Sequence, residues 1–92
     1  MNIEFTPSAW EDYNFWLKLD SSKAEKIREL IRAIRQDPFK GLGSPEPLKH
    51  ELQGFWSRRI DSEHRLVYRI SGKKGNDYKL QIIQCRYDYG QT

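Results

Sequence analysis

The sequence predicts an α+β domain: an N-terminal strand and a helix hairpin packed on one face of a twisted, mainly antiparallel β-sheet. Three observations predict it. Apolar residues recur at threes and fours between residues 7 and 36, the spacing of a buried helical stripe. Beyond residue 47 the period switches to two. The breaks between the later strand-like segments are short, which joins neighbours antiparallel. The order is strand, helix, helix, then four strands, so the helix pair covers one sheet face and leaves the other open.

Asn2-Ile3-Glu4-Phe5 alternates and reads as the first strand. Thr6-Pro7 announces a helix, with Thr6 as N-cap and Pro7 at the first helical position. Ser8 and Glu11 offer a competing capping box one step later. This helix is expected to run to about Leu19, with Ala9, Tyr13, Trp16 and Leu17 on its inner face. Asp20-Ser21-Ser22 caps a second helix ending near Gln36, whose stripe is Ala24, Ile27, Leu30, Ile31 and Ile34. The short break makes the pair an antiparallel hairpin. Asp37-Pro38 ends it. The loop DPFKGLGSPEP, residues 37–47, carries Phe39 and Leu42 as its anchors. Strands are then expected over Leu48–Leu52, Phe55–Ile60, His64–Ile70 and Tyr78–Tyr87. Gly54, residues 61–63 and residues 72–77 supply the turns.

Ninety-two residues suit one domain, 1–92, and a chain of that size buries only about 60–65% of its unfolded surface. Twelve aromatics argue for a packed core rather than disorder. No apolar run approaches the roughly 18–20 residues that span a bilayer, so no membrane segment is expected. The opening MNIEFTPSAWEDYNFW has acids where a secretory signal is first basic and then apolar, so no export signal is read. The single Cys85 offers neither an internal disulfide nor a cysteine metal cluster, which fits a reducing, cytoplasmic setting. The formal charge is +3, from 16 Lys/Arg and 13 Asp/Glu. Residues 1–20 hold one lysine and four acids, so the basic excess lies in the remainder. That distribution suits either a solvated, salt-bridged surface or a polyanion partner.

Strand parity turns Leu66, Tyr68 and Ile70 inward and Arg65, Val67 and Arg69 outward. With Ile60 inward, Ser57 and Arg59 face out, so Arg59 and Arg65 share the open face. Two guanidinium groups there repel unless an acid or an anion lies between them, and Glu46 or a ligand phosphate are the candidates. Pro45 and Pro47 hold Glu46 in an extended segment beside Lys49 and His50. Glu46 is either a positioned base or an acid that pairs with Arg59 or Arg65. His64 reads as a histidine satisfied by a hydrogen bond near a strand start, and Cys85 as inert packing. Two histidines without a flanking ligand pattern argue against a metal site. No GxxxxGKS/T or GxGxxG loop is present, Gly41-Leu42-Gly43 alone is too weak a phosphate cradle, and no cofactor is expected. Tyr87-Asp88-Tyr89 near the chain end offers rings either for stacking on bases or for rim packing. A carboxylate, several cations and a tyrosine are the inventory for cleaving RNA without metal. A base takes the ribose 2′-hydroxyl proton, that oxygen attacks the adjacent phosphate, cations hold the added charge, and an acid protonates the leaving oxygen. DNA lacks the attacking hydroxyl.

Three segments carry a resemblance: Pro45-Glu46-Pro47-Leu48-Lys49-His50, Gly54-Phe55-Trp56-Ser57-Arg58-Arg59-Ile60 and Glu63-His64-Arg65-Leu66-Val67-Tyr68. Together with Ala9-Trp10-Glu11-Asp12-Tyr13 and Asp37-Pro38-Phe39, they resemble the YoeB branch of the RelE/ParE toxin superfamily over nearly the whole chain. The resemblance implies a RelE-like fold and an endoribonuclease toxin of a type II toxin–antitoxin pair. It implies cutting of mRNA in the ribosomal A site, a YefM-like antitoxin whose tail covers the active site, and homodimer formation in some members. Carried over by position, Glu46 is the general base and Arg65 the transition-state stabiliser. Lys49 and Arg59 hold phosphate, with His50, Arg58 and Arg86 as further RNA contacts. Tyr89 matches the family's near-terminal tyrosine. Asp88 stands where the family's Tyr-His-Tyr ending has its histidine acid. A free aspartate is ionised at neutral pH and donates protons poorly; burial or proximity to Glu46 would raise its pKa, Tyr89, His50 or a ribosomal group are alternative acids, and Arg86, Arg59 or another cation would offset its charge. Two other functions remain open on this reading: a ParE-like gyrase poison without RNA cleavage, and a catalytically weakened antitoxin-binding homologue.

Overall fold

The computed structural model describes residues 1–72 and 78–88. Helix α1 (Pro7–Leu19) begins as the sequence predicts. The Thr6 hydroxyl accepts from the Ala9 amide at 3.1 Å and donates to the Ile83 carbonyl at 2.9 Å. One side chain thus caps the helix and ties it to the sheet. Asp20 serves two helices at once. Its N–H closes the end of α1 on the Trp16 carbonyl, and its carboxylate caps α2 (Ser21–Gln36) through the Ser22 amide. With one residue between them, the helices fold back as a hairpin.

On α2, Ala24, Ile27, Leu30 and Ile34 are fully buried, and each large aliphatic contributes roughly 1.5–3 kcal/mol. On α1, Ala9 and Trp16 are buried but Leu17 is exposed, which corrects its expected place on the inner face. Trp16 takes the sheet contact, donating its indole N–H to the Cys85 carbonyl at 2.8 Å. Leu17 lies one step round the helix, about 100° away.

Among the described residues the sheet has five strands, β1 (Asn2–Phe5), β2 (Glu46–Pro47), β3 (Trp56–Arg59), β4 (Arg65–Ser71) and β5 (Lys79–Gln84), in the order β1-β5-β4-β3-β2. β1 lies parallel to β5, and the other pairs are antiparallel. Ile60, Leu66, Tyr68, Leu80, Ile82 and Cys85 meet the helices in one apolar cluster. The opposite face carries Glu4, Gln81 and Arg69 as a hydrogen-bonded ladder across three strands.

Two expected strands are corrected. Leu48–Leu52 is not a strand: the ladder register ends at Pro47, one further bond runs from the Leu48 N–H to the Phe55 carbonyl, and His50–Leu52 forms a 3-10 turn with His50 at φ +58°. A five-residue alternation fits either form, and the local bonds from Leu52 N to Lys49 O and from Gln53 N to His50 O decide it. The last strand stops at Gln84 rather than Tyr87. Side chains of α1 take over the Cys85 backbone, whose N–H donates to Asp12 and whose carbonyl accepts from Trp16.

The 37–43 loop is fastened differently from the expectation. Phe39 and Leu42 are both exposed, Phe39 resting against Trp56 at 5.0 Å between centroids. The anchor is Arg58, on the helix side of β3. Its guanidinium donates to the carbonyls of Asp37, Lys40 and Leu42, and its Nε to the Tyr68 hydroxyl, which itself donates to the Pro38 carbonyl. Burial raises the Tyr68 phenol above its usual range, against the opposing pull of Arg58, and keeps it a donor.

Candidate functional site

Residues paired across a ladder point to the same face. Glu46 pairs with Ser57, Ser57 with Val67, and Arg59 with Arg65. All five therefore belong to the face away from the helices. The Arg65 guanidinium reaches across to β3 and donates to Ser57 Oγ at 2.9 Å. Ser57 is fully buried and sits beside Glu46, so it holds the cation next to the strand that carries the acid. Arg65 also meets Asp88, Nε to Oδ1, at 3.3 Å. The local fold makes this possible. Two prolines keep residues 45–47 extended for the short β2 ladder, while the Arg59 amide donates to the Gly43 carbonyl at 2.7 Å and fixes the loop just before it.

Beside the ladder, Glu46, Pro47, Leu48, Lys49 and His50 line a cleft of about 540 Å³. Lys49, His50 and Arg59 are exposed. Leu48 is buried, outside the helix-side cluster, and gives the cleft an apolar floor. The structure thus brings Glu46, Arg59, Arg65 and Asp88 to one region, with Lys49 and His50 in the adjoining cleft.

Three expectations fare differently. Arg58, expected on RNA phosphate, is wholly buried with its donors committed to loop carbonyls and Tyr68. It alternates with Ser57 and Arg59 and so faces the helices; its role is structural. Arg86 is stacked on the Phe15 ring of α1 at 3.6 Å and lies 4.6 Å from the Tyr87 ring. It therefore stands with the helix side rather than with the Glu46–Arg65 group, and Arg65 is the further cation that meets the Asp88 charge. Tyr89 lies outside the described residues.

Ser57 is the residue whose part sequence reasoning missed. The outward parity of Ser57 was the available signal. His64 was expected to be satisfied by a hydrogen bond, and its Nδ1 accepts from the Tyr87 amide at 2.7 Å. Near it, burial raises the Asp12 carboxyl above the ordinary carboxylate range, opposed by the Cys85 amide bond and the charge of Arg86. Burial likewise pushes the Cys85 thiol well above its usual range, leaving it a poor nucleophile.

Chemically, a carboxylate and guanidinium groups on adjacent strands of the face away from the helices can take a proton and hold a phosphate at the same place. Comparisons with known proteins agree on kinship. Residues 5–89 match the family described as YoeB-like toxin of bacterial type II toxin–antitoxin system. Toxin YoeB of Streptomyces coelicolor is 52% identical over 89 residues, 97% of this chain and 100% of that protein. The solved YoeB/ParE toxin from Agrobacterium tumefaciens is 50% identical, with a TM-score of 0.91 over 97% of this chain and 100% of that one. The Staphylococcus aureus YoeB, solved as a dimer and in complex with YefM, is 41% and 40% identical, with TM-scores of 0.84 over 97% of this chain and 98% of that one in both cases. The chain belongs to the YoeB-like toxins of bacterial type II toxin–antitoxin systems.

Proposed function

We propose that this toxin is a ribosome-dependent mRNA endoribonuclease that cuts without metal. One relationship carries the reading: Arg65 is hydrogen-bonded to Ser57, the cross-strand neighbour of Glu46, on the uncovered face. Glu46 takes the proton of a ribose 2′-hydroxyl. The freed oxygen attacks the adjacent phosphorus, and the bond to the 5′-oxygen of the next nucleotide breaks. Arg65 holds the charge added to the phosphorane, with Arg59 and Lys49 on the flanking phosphates. The leaving oxygen takes a proton from an acid, for which Asp88, Tyr89, His50 and a ribosomal group are the candidates. The fragments carry a 2′,3′-cyclic phosphate and a 5′-hydroxyl.

The Staphylococcus aureus relative binds YefM and forms a dimer; for this chain we take a YefM-like antitoxin and a homodimer as the corresponding partners. Ribosomal RNA and mRNA supply the polyanion that its basic excess suits, which places the activity in the cytoplasm, and this docking weakens with added salt. Primer-extension mapping of mRNA ends after induction tests the reading. New ends and translational arrest are expected with the wild type, and neither with Glu46→Ala or Arg65→Ala at unchanged melting temperature. Equal toxicity of those variants removes the assignment. DNA damage without new RNA ends would instead favour gyrase poisoning.

A further inference from the structure

Residues 85–88 are held from both sides of the sheet. On the helix side, α1 clasps Cys85 through Asp12 and Trp16. Tyr87 then donates its N–H to His64 Nδ1 at 2.7 Å, and its carbonyl accepts from the Arg65 amide at 2.9 Å. Asp88 reaches Arg65 Nε at 3.3 Å. His64 has helix-side parity, and its ring meets Trp16 edge-on with centroids 4.8 Å apart. Arg65, the next residue, faces the open side. Within residues 85–88 the chain therefore passes round the start of β4 from the core to the candidate site. Tyr87 makes the bend at φ +66°, a left-handed conformation that a bulky residue rarely adopts unless its surroundings hold it. The His64 nitrogen is a holder the sequence can change, because the Arg65 amide contact belongs to the backbone.

We propose that His64 is a positioning residue: by accepting the Tyr87 amide, its Nδ1 sets the bend that delivers Asp88 to Arg65. Its effect on cleavage rests on the nuclease reading above. The bond requires the ring proton on Nε2, since a nitrogen that accepts cannot also carry a proton. A side chain without an acceptor leaves the Tyr87 N–H unmatched, and the turn relaxes. Asparagine carries a carbonyl oxygen close to the place of Nδ1. Phenylalanine keeps a ring against Trp16 but has no acceptor.

The test uses the full chain as wild type, His64→Phe and His64→Asn. It reads hydrogen exchange at the Tyr87 amide, the melting midpoint, and the kcat and KM for mRNA cleavage on ribosomes. His64→Phe is expected to speed exchange at Tyr87 by about tenfold or more, the loss of one well-made hydrogen bond. It is expected to lower kcat by about tenfold with KM little changed, because the loss falls on positioning at the site rather than on docking. His64→Asn restores both, which a purely structural role for the ring would not produce. Wild-type cleavage by His64→Phe overturns the proposal, and so does an equal defect in His64→Asn. Should His64→Phe fail to fold, His64→Leu replaces it with the same expected losses. If the wild type itself leaves no new RNA ends, the nuclease reading falls, and the exchange contrast between the Phe and Asn variants still decides whether His64 holds the bend.

Discussion

Arg65 Nε lies 3.3 Å from Oδ1 of Asp88. The guanidinium assigned to the phosphate thus already carries an acid, at the position where the resemblance places a histidine. A bound phosphate would share that cation with Asp88 or displace it.

Asp88→His is therefore expected to raise ribosome-dependent cleavage. An imidazole titrates near neutrality and donates a proton there more readily than a carboxylic acid side chain, and positioned acids contribute about a hundredfold or more. Stability should change little, because Asp88 is 40% exposed in its side chain and such pairs contribute at most about 1 kcal/mol. Rates from primer extension and a melting curve check both parts. A slower variant would mean that Asp88 is not a weak substitute for the histidine.

Arg58→Met should destabilise the fold by about 3 kcal/mol or more, because it strips charged donors from three buried-side carbonyls and the Tyr68 hydroxyl. Arg58→Lys should not rescue it, since one ammonium cannot span the same fork of acceptors. Tyr68→Phe, which loses the bond to Pro38, should cost about 1–3 kcal/mol. Urea midpoints measure all three, and an unmoved midpoint for Arg58→Met would refute the anchoring role.

Glycines 43 and 54 both adopt a left-handed backbone, at φ +89° and +98°, but differ in surroundings. A Cβ at Gly43 would lie 2.7 Å from Leu30 Cδ2 and 3.0 Å from Arg58 Cβ, whereas at Gly54 it would meet nothing within 4 Å. Gly54→Ala should therefore carry only the backbone cost, about 1 kcal/mol. Gly43→Ala adds about 1–3 kcal/mol of overpacking and loosens the loop that precedes Glu46. Paired denaturation curves test the difference, and equal losses would contradict it.

Two aspartates should give stability opposite slopes with pH. Burial holds the folded Asp12 carboxyl above the ordinary range, so the folded state binds that proton more tightly. Its contribution is present below the unfolded value and is lost as pH rises through the folded one. Burial also raises Asp61, but the Lys23 ammonium at 2.7 Å and the amides of Glu63 and His64 together outweigh it and hold the group low. Its contribution is present above the unfolded value and fades as pH falls through the folded one. Acidification from neutrality should thus favour the wild type over Asp12→Asn and narrow its advantage over Asp61→Asn. Melting midpoints across that range check the signs.

The helices were legible because their determinants are local. The N-capping contacts of Thr6 and Asp20, with Pro7 beside the first, act within three residues of where they stand, and the Ile27–Ile34 stripe needs nothing but its spacing. The open-face set was legible for a related reason: once Ile60 and Leu66 turn inward, Ser57, Arg59 and Arg65 must turn outward. The segment after Pro47 was not legible, because five alternating residues suit a strand and a tight turn alike. Arg58 was misjudged because a guanidinium is buried only where other residues bring acceptors to it, and here those come from a loop some twenty positions earlier.

By itself the sequence determined the caps, the helical stripe and the parity of the strands, which follow from neighbouring residues and covalent geometry, and its motifs carried a resemblance to a toxin family. Tertiary structure decided the rest: that carbonyls of the 37–42 loop take up the Arg58 guanidinium, and that Arg65 lies between Ser57 and Asp88. The physical reason is distance along the chain. Ser57 and Arg65 stand on consecutive strands and Asp88 lies well beyond both in sequence, and only ladder register and the bend at Tyr87 bring their polar atoms within hydrogen-bonding reach.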